Sequence, residues 1–138
     1  PINMENGLCG IAWGICHLIQ HNFVEGEINE ILDEIDNKIM ERSLLYIKDI
    51  TLPTGLEGIY IYVLERKKLA KMQKSQIPFD STYLHTLDKV ISINSINCTD
   101  SIINRFVVPI INNESNLQNF SLGLNKGCAG YIYKSISI

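Results

Sequence analysis

The sequence predicts an all-α fold built from helical hairpins, and three observations carry that prediction. A glycine-headed segment recurs, as "NGLCGIAWG" from Asn6, "TGLEGIYIY" from Thr54 and "KGCAGYIYK" from Lys126. The stretch Glu27–Met40, "EINEILDEIDNKIM", repeats apolar residues at helical spacing. In the β-branched run "FVVPII", which invites a strand, Pro109 argues against a central strand because it cannot donate to a ladder.

In chain order, Leu8–Gln20 is apolar nearly all round and therefore reads as an inner helix, with "HNFVEG" as the turn that follows. Glu27–Met40 is an amphipathic outer helix. Ile28, Ile31, Leu32, Ile35 and Ile39 form its buried face, and Glu30, Asp33, Glu34, Asp36 and Lys38 its solvated one. Its acids crowd the first turns while Lys38 and Arg42 lie near the end, as the helix dipole favours. The segment "SLLYIKDITLPTG" fits a continued helix or an extended run, closed as a loop by Pro53 and Gly55.

A second inner helix starts at Leu56, with Ile59, Val63, Tyr60 and Leu64 toward the core and a basic cluster, Arg66–Lys74, on a solvated face. Pro78 breaks it. Asp80 or Ser81 caps a helix from Thr82 to about Ile93 that buries Leu84, Leu87 and Ile91. After the loop "NSINCTDS", Ile102–Ile111 reads as a fifth helix that Pro109 kinks or ends, and a last helix begins in "GLNKGCAGYIYKSISI".

Composition narrows the function classes. The 138 residues, 46% of them hydrophobic, suffice for one domain with a core. A net charge of −3 gives no general attraction for phosphate backbones, so nucleic acid is not an expected partner. No apolar run approaches the roughly 18 to 20 residues that span a bilayer, and no signal-peptide pattern opens the chain; no membrane association and a cytoplasmic location are the expectations. Cys9, Cys16, Cys98 and Cys128 are irregularly spaced and read as free, buried thiols.

The glycines need a reason, because a mid-helix glycine loses roughly 1 kcal/mol relative to alanine. Gly7 and Gly10, Gly55 and Gly58, and Gly127 and Gly130 share a G-x-x-G frame at the head of each inner helix. Small residues there let inner helices approach closely and turn the chain in from an outer helix. Free amides at the same helix starts would alternatively face a cavity and favour an anion or carboxylate.

These three segments resemble the recurring inner-helix motif of lanthionine synthetase C-like proteins. The resemblance implies an α/α toroid, inner helices ringed by outer ones. Residues 1–138 would then be a single all-α domain of about three hairpin repeats, a segment of a larger toroid completed by its remainder or by self-association. It also implies maturation of a peptide natural product. Cyclases of that family hold zinc through two cysteines and a histidine, in a W-C-x-G and a C-H-G segment, and use it to activate a substrate thiolate. Neither segment is present here: Gly14 follows Trp13, and the pair Cys16–His17 leads to Leu18. Zinc is thus implied by resemblance alone, and no cofactor is expected within this chain.

Other candidate chemistry is sparse. His17 and His21 share i, i+4 spacing, and Cys9 or Cys16 could supply a third ligand, but "HLIQH" lacks the glutamate of a metalloprotease helix. Cys9 and Cys128 sit in glycine turns near helix starts, a setting that lowers a thiol pKa, or else pack as small hydrophobes. Trp13, Tyr60, Tyr62, Tyr131 and Tyr133 either line a groove or fill the core. Glu57 alone offers no carboxylate pair for a glycosidase. The alternative to a cyclase relative is a non-catalytic helical-repeat module that binds a peptide or protein partner.

Overall fold

A computed structural model describes residues 1–96 as four α-helices: α1 (Leu8–Gln20), α2 (Ile28–Glu41), α3 (Leu56–Met72) and α4 (Ser81–Ile93), with a 3-10 turn at Leu44–Tyr46 between the second and third. The fifth and sixth predicted helices, with Gly127, Cys128 and Gly130, lie outside the described residues. Successive helices pair as hairpins, α1 with α2 and α3 with α4, and α1 packs most extensively on α3. The two glycine-headed helices are therefore neighbours at the centre of the packing. Met4, Cys9, Ala12, Cys16, Ile28, Leu32, Ile39, Ile59, Tyr62 and Leu87 belong to one continuous core.

The two hairpins repeat one another in backbone detail. Gly7 and Gly55 precede α1 and α3 with nearly the same extended conformation, φ −124° in both and ψ −166° and −158°. The first free amide of each helix is met by the chain before it, Leu8 N–H donating to the Pro1 carbonyl (3.2 Å) and Leu56 N–H to the Asp49 carbonyl (2.9 Å). The two lead-in turns also touch: Glu5 N–H donates to the Pro53 carbonyl at 2.8 Å. Proline has no N–H, so no reciprocal bond forms.

The helix ends repeat as well. Asn22, Lys74 and Ser95 adopt φ of 60°, 56° and 52° just after the C-caps of α1, α3 and α4. Amides beyond each reach back five residues, Phe23 to Leu18, Ser75 to Ala70 and Ile96 to Ile91, which satisfies the last carbonyls without a glycine.

Burial corrects two sequence expectations. The buried row of α2 is Ile28, Leu32, Asp36 and Ile39; Ile31 is exposed and Ile35 half-buried. Asp36, expected on the solvated face, is thus in the core. On α3, Leu64 faces solvent, whereas Arg66, expected in a solvated basic cluster, is fully buried. The segment after α2 is not a continued helix: a 3-10 turn at Leu44–Tyr46 is flanked by extended backbone at Ser43 and Ile47, and it exposes Leu45 (73%) and Tyr46 (85%).

Candidate functional site

The glycine positions are set by space rather than by a left-handed backbone, since no described glycine has positive φ. A Cβ on Gly10 would run into the Met4 carbonyl, one on Gly58 into the Leu52 carbonyl, and one on Gly55 into the Asp49 carbonyl. A Cβ on Gly7 would sit 2.6 Å from the Asn3 nitrogen. Each lead-in turn lies directly on the first turn of the helix it feeds, and a turn of backbone cannot swing aside as a side chain can. Met4 and Leu52 are both buried in the resulting junction.

The same closeness leaves no free leading amide for the alternative reading, an anion at the start of α1. Its leading amides are occupied, Leu8, Cys9 and Gly10 N–H pointing to the carbonyls of Pro1, Ile2 and Asn3 at 3.2, 3.2 and 3.4 Å. A helix N-terminus recruits an anion through free N–H groups, and these are spoken for by the preceding chain.

Cys9 and Cys16 are free and fully buried. Burial raises both thiols, Cys16 to about 12, with Asp36 adding to the rise at Cys9. Neither is a thiolate at neutral pH, so the expected acidification of a turn cysteine gives way to desolvation. Trp13 stacks on His17 (centroids 5.7 Å apart), and the rings of His17 and His21 lie 4.2 Å apart. Burial, followed by the neighbouring His21, lowers His17 to about 4. Among the described residues no three His, Cys, Asp or Glu side chains converge to hold a metal ion.

The polar cluster that the fold does build joins the two hairpins. Asp36 on α2 accepts from the Tyr62 hydroxyl at 2.5 Å and from Arg66 Nε at 2.9 Å, and Arg66 Nη2 donates to Asn29 Oδ1 at 2.7 Å. Arg66 is 0% exposed and Asp36 1%, and Arg66 Nη1 has no hydrogen-bond partner. Burial pushes the Asp36 carboxyl above its ordinary range, against the pull of Tyr62 and Arg66. Sequence reading missed this cluster, although a signal was present. Position 36 falls in the row 28, 32, 36, 39 of α2, and position 66 in the row 59, 62, 66, 69 of α3, so each charge interrupts an apolar stripe.

The cluster lacks reacting geometry. It is sealed from solvent, it holds one carboxylate rather than two, and both oxygens of that carboxylate are engaged. An open groove lies beside the start of α4, lined by Met40, Arg42, Leu45, Asp80, Tyr83 and Thr86. No described helix is long and apolar enough to cross a membrane.

Residues 1–96 are accordingly an all-helical module without a metal-binding cluster among the described residues. No protein-family model matches the chain, and no solved structure matches it. The chain is 41% identical over 81 residues to the glycoprotein of Lettuce necrotic yellows virus (isolate 318). That alignment covers 58% of this chain and 13% of the viral protein, so the chain spans a small part of the relative it matches.

Proposed function

We propose that the chain is a non-catalytic helical-hairpin module, a protein-binding segment of a longer glycoprotein-like polypeptide. The observation that carries this reading is the 41% identity over 81 residues to a viral glycoprotein. The absence of a metal-binding cluster among the described residues, the elevated thiols and the sealed ion pair support a structural role over a catalytic one. Exposed Leu45 and Tyr46, beside the groove at Arg42 and Asp80, offer apolar surface for the remainder of such a polypeptide. A glycoprotein acquires N-linked glycan on the luminal side of a membrane, so this reading replaces the cytoplasmic expectation with a luminal one.

The test is to express the matched 81-residue segment of the viral glycoprotein beside this chain and compare far-ultraviolet circular dichroism. Closely similar helical spectra are expected; a segment that folds as β-sheet overturns the reading.

A second reading, a segment of a lanthionine synthetase C-like toroid, is favoured by one observation, the paired glycine junctions at Gly7–Gly10 and Gly55–Gly58. Stoichiometric zinc in the purified full chain would support it. Metal-free protein that retains its helical spectrum counts against zinc chemistry in this chain.

A further inference from the structure

The basic cluster Arg66–Lys74 is divided by the fold. Arg66 is buried and reaches Asp36 of α2, whereas Lys68, Lys71 and Lys74 are exposed and Lys67 is half-buried. An open groove along α3 is lined by Leu64, Lys67, Lys68, Lys71 and Met72, and its two apolar members are 44% and 58% exposed. At about 100° per residue, Leu64, Lys68, Lys71 and Met72 fall within about 100° of arc, with Arg66 on the far side of the helix. The chain's own α2 therefore meets α3 on the face away from the lysines.

No acid of the same chain answers these lysines among the described residues, where the ion pairs are Lys38–Glu41 and Arg66–Asp36. A surface of the opposite kind lies on α2. Glu30, Asp33 and Glu34 are exposed and enter no ion pair among the described residues, and Ile31, 43% exposed, stands at their shoulder. Their spacing matches that of the lysines in reverse. Counted backward from Lys71, Lys68 and Lys67 fall at three and four residues; counted forward from Glu30, Asp33 and Glu34 fall at three and four. Two helices laid antiparallel bring these triads into register, one turn against one turn.

We infer that the lysine groove of α3 receives the acidic outward face of α2 from a second copy of the chain. Leu64 and Met72 supply the apolar floor, the lysine stems extend it, and the ammonium groups reach Glu30, Asp33 and Glu34 of the incoming helix. The two faces differ, so the contact is heterologous: each copy keeps one groove and one acidic face to offer, and assembly continues past the dimer. Exposed ion pairs are individually weak and screened by salt, which makes the contact one of high concentration and low ionic strength. It needs no likeness to the viral glycoprotein, so its failure and the failure of the glycoprotein reading are separate outcomes.

Sedimentation velocity of the full chain from about 10 μM to about 500 μM, in about 0.05 M and about 0.5 M sodium chloride, tests the contact. The average mass should climb past the dimer at low salt and return to the monomer at high salt. Lys68→Glu with Lys71→Glu should weaken association at least about tenfold, and so should Glu30→Lys with Glu34→Lys. All four reversals in one chain should restore it. Lys68→Gln with Lys71→Gln spares the end of α3 an adverse charge, and should weaken association severalfold with the helical spectrum unchanged. A monomer at every concentration overturns the inference. So does association that resists salt or survives the lysine substitutions, or four reversals that keep the helical spectrum without restoring it. A monomer that instead sediments with phosphatidylserine vesicles assigns the groove to a lipid surface and equally overturns it.

Discussion

In the first hairpin the Met4 carbonyl lies over Gly10, and in the second the Leu52 carbonyl lies over Gly58, 48 residues on in each case. Inside the helices the likeness ends. At the same offset, Cys9, Gly14 and Leu18 of α1 correspond in sequence to Glu57, Tyr62 and Arg66 of α3. The second helix therefore carries the hydroxyl and the guanidinium that reach across to Asp36. Junction geometry is the shared part of the repeat, and buried polarity is what distinguishes one copy from the other. A symmetric apolar pair could slide or exchange partners. One charge whose hydrogen bonds among the described residues go to Asp36 and Asn29 favours this register over others.

The largest break in that comparison comes from the asymmetric element. Asp36→Ala leaves a fully buried guanidinium with a single partner and should cost about 3–5 kcal/mol in urea unfolding. Replacing both ends, Asp36→Leu with Arg66→Met, should recover part of the loss, since an apolar pair carries no buried charge while the buried Tyr62 hydroxyl still lacks its acceptor. A double variant as unstable as the single one would show that the cluster supports more than its own charges.

The shared element should respond next. Gly10→Ala and Gly58→Ala each press a methyl group on backbone, and each should lose roughly 1–3 kcal/mol, with near-equal values if the two junctions are true equivalents. Gly14 is the internal control. A Cβ there meets nothing within 4 Å among the described residues, so Gly14→Ala should gain about 0.5–1 kcal/mol from helix propensity. A loss at Gly14 of the size seen at Gly10 would remove spacing as the explanation.

The smallest effect belongs to acid. His17 is protonated near 6.5 in an unfolded chain and near 4 in the fold, so the unfolded state binds more protons across that window. Stability that His17 contributes above pH 6.5 is lost as pH falls through 4. The raised Asp36 acts with the opposite sign, because the fold holds its proton more readily than the unfolded chain does. The isolating measurement is the difference between wild type and His17→Gln. The melting temperature of the variant should fall less between pH 7 and pH 4, and an identical fall would dismiss His17 from the balance.

Helix boundaries were the legible part of the chain. The bounds of α1 are those its sequence predicts, since glycine precedes it and a polar turn follows; α2 is displaced by one residue at each end, and α4 starts one residue earlier than expected. The occupants of the buried rows were less legible. Ile31 and Ile35 satisfy a five-residue apolar count as well as Leu32 and Ile39 do, and periodicity cannot tell that Asp36 has a guanidinium waiting on another helix 30 residues away. The choice between close packing and an anion at the glycines was illegible for a related reason. A run of glycines announces an open backbone, but whether the opening admits a ligand or the preceding strand of chain is decided by the path of Pro1–Asn3.

The start of α2 carries a consequence for how the chain reaches this state. Glu27 provides no side-chain cap, and the leading amide, Ile28 N–H, is taken instead by Gln73 Oε1 at 2.9 Å, while Gln73 Nε2 donates to the Gly26 carbonyl and Ser75 to Glu27. The finishing group for the second helix thus arrives from the far end of the third. During synthesis, the start of α2 emerges 45 residues before the glutamine that closes it, so the smallest cooperative unit is the pair of hairpins. A cut between Glu41 and Gly55 should yield two halves that fray alone and become ordered on mixing.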